Sequence, residues 1–127
     1  MIGPTGAVRV MVATKPVDFR KGAEGLAALV RETMGADPFS GTVYVFRAKR
    51  PDRVKLVFWD GTGVVLVAKR LEDGEFRWPK IEDGALRLTA AQLQALFEGL
   101  NWRRVHVSTG TEVSLDVGFQ NSPPGRV

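Results

Sequence analysis

Residues 42–70 read Thr42-Val43-Tyr44-Val45-Phe46-Arg47-Ala48-Lys49-Arg50-Pro51-Asp52-Arg53-Val54-Lys55-Leu56-Val57-Phe58-Trp59-Asp60-Gly61-Thr62-Gly63-Val64-Val65-Leu66-Val67-Ala68-Lys69-Arg70. Three runs in this stretch, Thr42 to Phe46, Val54 to Trp59 and Val64 to Arg70, are rich in β-branched and aromatic residues and alternate at the two-residue period of a strand. Asp60-Gly61-Thr62-Gly63 joins the second run to the third with an Asp-Gly hairpin signal. The first and second runs are joined by a cluster of cations, Arg47 to Lys55. The simplest topology is a three-stranded antiparallel meander carrying a basic finger.

Toward the amino terminus, Ala7 to Ala13 alternates around Val8, Val10 and Val12 and reads as another short strand. Asp18 is a plausible N-cap, and Phe19, Ala23, Leu26, Ala27, Val30 and Met34 recur at helical spacing until Gly35, which predicts a helix over residues 19–34. Asp37-Pro38-Phe39-Ser40-Gly41 supplies turn chemistry before the meander. Beyond it, Glu72-Asp73-Gly74 turns the chain into Phe76-Arg77-Trp78, a fourth short strand placed at an edge because Pro79 cannot donate to a ladder. Thr89-Ala90-Ala91-Gln92 matches the capping box, with Leu93, Leu96, Phe97 and Leu100 on one face of the helix that follows. Val105 and Val107 alternate, as do Val113, Leu115, Val117 and Phe119, ahead of Pro123-Pro124-Gly125. The expected fold class is therefore α+β: a small antiparallel sheet, the three-stranded meander plus edge strands, packed with two helices. One domain is expected over residues 1–102, with 103–127 as a C-terminal extension, partly disordered or an added strand.

A chain of 127 residues, 44% apolar and 25% charged, has the balance of one globular domain with a real core. Its net charge of +4 is uneven. Residues 42–70 hold seven Lys or Arg against two Asp, whereas residues 81–127 hold four against five acidic residues, so the positive excess belongs to the sheet. The absence of cysteine excludes a disulfide framework and a thiolate metal site. The longest apolar stretches, such as Val64 to Ala68, are far shorter than the ~20 residues of a membrane helix. No secretory signal pattern opens the chain, and cytoplasmic localisation is the expectation.

Several landmarks taken in order resemble one family. Asp18-Phe19-Arg20-Lys21-Gly22, Asp37-Pro38-Phe39-Ser40-Gly41, Val45-Phe46-Arg47, Trp59-Asp60-Gly61, Ala68-Lys69-Arg70-Leu71-Glu72, Phe76-Arg77-Trp78-Pro79 and Leu96-Phe97-Glu98-Gly99-Leu100-Asn101-Trp102 are similar to the TnpB-type accessory protein of bacterial insertion sequence family sixty-six, over about Val8 to Trp102. This protein is distinct from the RNA-guided nucleases that share the TnpB label. The resemblance implies a small protein encoded beside a separate, larger acidic-triad transposase, needed for transposition but not known to carry strand transfer. Residues Val105 to Val127 depart from the family pattern.

A row of cations on a rigid ribbon is what contact with a phosphate backbone requires. Arg47, Lys49, Arg50, Arg53 and Lys55 are the candidate phosphate contacts, with Lys69, Arg70 and Arg77 extending them where the strands lie alongside; the same cations also fit a solvated loop. Tyr44, Phe46, Phe58, Trp59 and Trp78 fit base stacking, or, more simply, a core between sheet and helices. Arg20-Lys21 fits either a phosphate site or a pairing of Arg20 with Asp18, Glu24 or Asp60. The aspartates fall mostly at turns and caps, where they serve local hydrogen bonding, and His106 has no second metal-ligating partner. No catalytic residue, metal ligand set or cofactor motif emerges. The sequence points to a non-enzymatic accessory factor that binds DNA, at element ends or non-specifically. The alternative is a protein-interaction module docking the transposase through exposed apolar surface around Trp59, Trp78 and the helix after Thr89.

Overall fold

The computed structural model describes residues 8–105. Five strands, β1 (Val10–Ala13), β2 (Val43–Arg47), β3 (Arg53–Trp59), β4 (Val64–Arg70) and β5 (Ala85–Leu88), form one sheet in the order β4-β3-β2-β1-β5. The expected meander is its centre, with β2 antiparallel to β3 and β3 antiparallel to β4. The helices α1 (Ala23–Met34) and α2 (Ala90–Phe97) complete the α+β architecture. The sheet is not purely antiparallel. β1 pairs parallel to β2, Val10 with Val43 and Val12 with Val45, because α1 carries the chain back across the sheet between them.

Alternation sorts the side chains into two cores. Val10, Val12, Val43, Val45, Val54, Leu56, Phe58 and Leu88 face α2, Phe76 and Trp102. Tyr44, Phe46 and Val57 face Leu26 and Val30 of α1. Burying both faces explains why β2 reads as nearly continuous apolar sequence rather than clean alternation.

Two expectations are corrected. Phe76-Arg77-Trp78 is extended but joins no ladder: Phe76 is buried in the core, and its N–H donates to the Pro51 carbonyl at 3.1 Å. The added edge strand is instead β5, antiparallel to β1, with β4 at the other edge. The first helix begins at Ala23, not at 19, because the Asp18 carboxylate accepts from the Arg20 N–H at 2.9 Å and closes a turn of its own. The alternating residues from Val107 to Phe119 and the Pro-rich tail lie outside the described residues. No described helix is long and apolar enough to cross a membrane.

The capping box at Thr89 forms as read: its hydroxyl accepts from Gln92 N–H at 3.0 Å while Gln92 Oε1 accepts from Thr89 N–H at 2.9 Å. Leu96 is fully buried under α2, whereas Leu100 lies past the helix end and is 55% exposed.

Candidate nucleic-acid interface

The link from β2 to β3 does not project as a finger. Its Pro51 carbonyl accepts from both the Phe76 N–H at 3.1 Å and the Trp78 indole at 3.0 Å, and the Asp52 carbonyl accepts from the Leu71 N–H at 3.0 Å. The segment after β4 therefore pins the turn from beneath. On the β2 side of the same turn, the Arg47 carbonyl accepts from Val17 N–H at 2.9 Å, which ties in the loop that precedes α1.

Within this frame the eight cations singled out from sequence divide into tied and open groups. The Arg47 guanidinium donates to the carbonyls of Ala48 at 3.1 Å and Lys49 at 3.4 Å and stacks over the Trp78 ring at 5.5 Å. Partial burial lowers its pKa from the ordinary arginine value, and the charge of Glu75 opposes that shift. Lys55 donates to the carbonyls of Phe19 at 2.7 Å and Lys21 at 3.1 Å, with its ammonium 5.0 Å from the Phe19 ring centroid. Lys69 donates at 2.7 Å to the carbonyl of Phe97, the last residue of α2, where a cation complements the helix dipole. Arg77 is exposed, but it sits between two residues that pack on the α2 side of the sheet.

Lys49, Arg50, Arg53 and Arg70 remain open. Arg53 and Arg70 are directly paired across β3 and β4, so they share the α1 side of the sheet. Two hollows lie along this row. One, of about 400 Å³, is lined by Asp18, Phe19, Lys49, Arg50 and Arg53, among others. The second, of about 340 Å³, is lined by Phe19, Arg53, Ala68 and Arg70, among others. Phe19 and Arg53 line both, so the two hollows make one shallow channel from Lys49 to Arg70. Phe19 is the residue that charge counting alone overlooks.

Acidic neighbours partly offset the open cations. Asp52 lies 3.6 Å from both Arg50 Nη2 and Arg53 Nε, and Glu72 lies 3.9 Å from Arg70. Asp52 Oδ1 and Arg53 Nε have no hydrogen-bond partner; they face each other beyond hydrogen-bond reach. The Arg70–Glu72 pair, loose and exposed, contributes under about 1 kcal/mol and exchanges readily for another anion. Arg20 is committed elsewhere, donating to both Asp18 oxygens at 2.8–3.1 Å. Those hydrogen bonds, first from the side chain and then from the backbone of Arg20, hold the Asp18 carboxyl down to about 2.

The two tryptophans also separate. Trp78 is half-buried, its indole donating to Pro51, and it serves as the pin under the turn. Trp59 is half-exposed at the end of β3, in edge contact with Phe39 at 5.5 Å. Around it Phe39, Val64 and Leu66 are 46%, 38% and 37% exposed. Val64 and Leu66 belong to β4, the outer strand of the sheet. Among the described residues no group of three or more acidic or histidine side chains is arranged to hold a metal ion.

Comparison of the sequence with known proteins finds relatives. The family model for IS66 Orf2-like proteins matches residues 8–107. The chain is 50% identical over 105 residues to the uncharacterized protein y4jC of Sinorhizobium fredii, covering 83% of this chain and 90% of that one. It is 41% identical over 101 residues to the uncharacterized protein y4hO of the same organism, covering 79% of this chain and 88% of the relative. No solved structure matches the chain.

Proposed function

The chain belongs to the IS66 Orf2-like family, whose role is accessory to transposition, and from that premise we propose that it works without chemistry of its own, holding DNA along the channel between Lys49 and Arg70. The observation that carries this reading is the division among the cations: Arg47, Lys55 and Lys69 are bound internally, while Lys49, Arg50, Arg53 and Arg70 line one open channel on a pinned turn and two paired strands. A row of three guanidinium groups and one ammonium donates to phosphate oxygens, the guanidinium groups in fork geometry. Recognition is of the backbone, since nothing in the channel is shaped to enter a groove and read base edges.

Four neutralised phosphates give a log–log salt slope of about −3.6 on duplex DNA. Binding to a labelled element-end duplex and to a scrambled duplex across a salt series tests this directly. A slope near zero, or cleavage of the duplex in the presence of a divalent metal, would refute it.

A second reading rests on the strip formed by Phe39, Trp59, Val64 and Leu66 beside the open edge of β4. An aromatic anchor on an exposed apolar surface is suited to docking the element's transposase. Trp59→Ala would then abolish co-purification with the transposase while leaving DNA affinity unchanged, and retained co-purification would count against it.

A further inference from the structure

A third hollow, of about 330 Å³, lies at the C-terminal end of α1 over β1 and β5, apart from the DNA channel in every lining residue. Its polar wall carries Arg9 and Arg87. Arg87 is the direct cross-strand partner of Met11, and Arg9 precedes Met11 by two residues, so both arginines share one face of neighbouring strands. Both are exposed, and among the described residues neither side chain has an ion pair or hydrogen bond. Asp37 lines the same hollow but lies beyond ion-pair distance of both, so a dianion between the two arginines meets two unpaired guanidinium groups.

The rest of the wall narrows the ligand. Asp37 uses Oδ1 to accept from the Phe39 N–H at 2.9 Å, which leaves its other oxygen free to accept from a ligand donor. Ser40 Oγ lies 3.5 Å from the Tyr44 hydroxyl, which itself donates to the Asp37 carbonyl at 3.1 Å. Met11 and Met34 supply an apolar, polarisable wall. A ligand matching this wall carries an anion, hydroxyl donors and an apolar body. The volume is at the lower end of the roughly 300–1,000 Å³ usual for small-molecule sites, which suits one nucleotide.

We propose that this hollow binds a nucleoside 5′-phosphate, its phosphate forked by Arg9 and Arg87, its sugar hydroxyls against Asp37 and Ser40, and its base against the two methionines. The same chemistry is presented by a free mononucleotide and by the phosphorylated 5′ end of a strand. Titration calorimetry of the full chain with AMP, and with adenosine as the body without the anion, tests the site. A 5′-phosphorylated oligonucleotide compared with its 5′-hydroxyl twin distinguishes the two sources, since any channel contribution is common to both. Saturable AMP binding that weakens at least about tenfold in Arg9→Gln and in Arg87→Gln is expected, as each charge-assisted pair contributes that much or more. Preference for the phosphorylated oligonucleotide with the same sensitivity, and no response to AMP, would assign the site to strand ends. The proposal is overturned by no saturable response to either phosphorylated probe, by adenosine binding as tightly as AMP, or by binding indifferent to both substitutions. Both arginines are exposed, so unchanged thermal unfolding of the variants is the check that a loss is local.

Discussion

Lys55 sits in the middle of the basic stretch, yet its ammonium is spent on the protein itself. Replacing it with alanine removes hydrogen bonds to the carbonyls of Phe19 at 2.7 Å and Lys21 at 3.1 Å and the contact with the Phe19 ring. Bonds from a charged donor contribute about 1.5–3 kcal/mol each when enclosed, and a cation over a ring roughly 0.5–1 kcal/mol, but this site is partly exposed. A discounted total of about 2 kcal/mol is the working value. In a domain near this size that lowers the melting temperature by roughly 10 °C. Loosening Phe19 also disturbs the wall that the two channel hollows share, so DNA affinity drops modestly. The number of phosphates neutralised should not change, and the salt slope of Lys55→Ala should stay within about half a unit of wild type. Thermal unfolding followed by circular dichroism, together with duplex binding over a salt series, measures both quantities. A variant that melts within about 2 °C of wild type and loses about one unit of slope would refute the reasoning, because Lys55 would then be a free phosphate contact.

Other perturbations separate the remaining parts of the molecule. Asp52→Asn removes the carboxylate held 3.6 Å from both Arg50 and Arg53, and duplex affinity at low salt should rise about three- to tenfold; unchanged affinity would mean these arginines do not contact DNA. Leu96→Ala, at a fully buried site, should cost about 3 kcal/mol in urea unfolding, while Leu100→Ala should stay within about 0.5 kcal/mol. Asp18 is held at about 2, and Asp60 is lowered by the backbone N–H groups of Thr62 and Gly63. Because both folded values lie below the unfolded ones, their contribution is complete above about pH 5 and is lost as pH falls toward about 2. Both groups are exposed, so the decline should be shallow, and Asp18→Asn should flatten it further; an identical acid profile in Asp18→Asn would contradict the assignment.

The meander was legible because its signals are local: alternation in each run and the Asp-Gly turn between β3 and β4. The parallel pairing of β1 with β2 was not, since it joins residues thirty-three positions apart and depends on where α1 lays the chain down. Phe76-Arg77-Trp78 carried the alternation of a strand for another reason. Its aromatic side chains point into the core and toward Pro51 to pin a turn, and burial on one side imitates the period of a ladder. β5 was missed because four residues, Ala85 to Leu88, give too little pattern to stand above the loop around them. Among the site residues, sequence located the basic stretch but could not say which cations were open. That depends on partners far along the chain: Phe19 for Lys55 and Phe97 for Lys69 lie 36 and 28 residues away. Trp59 and Trp78, equivalent in sequence as strand aromatics, part company for the same reason.

The most direct measurement is duplex binding across a salt series for wild type beside the Lys49/Arg50/Arg53/Arg70→Ala variant, with both proteins first shown to melt alike. A wild-type slope of about −3.6 that collapses toward zero in the variant is the expected result. Equal slopes in the two proteins, or no wild-type binding at low salt, would contradict the assignment of the channel to DNA.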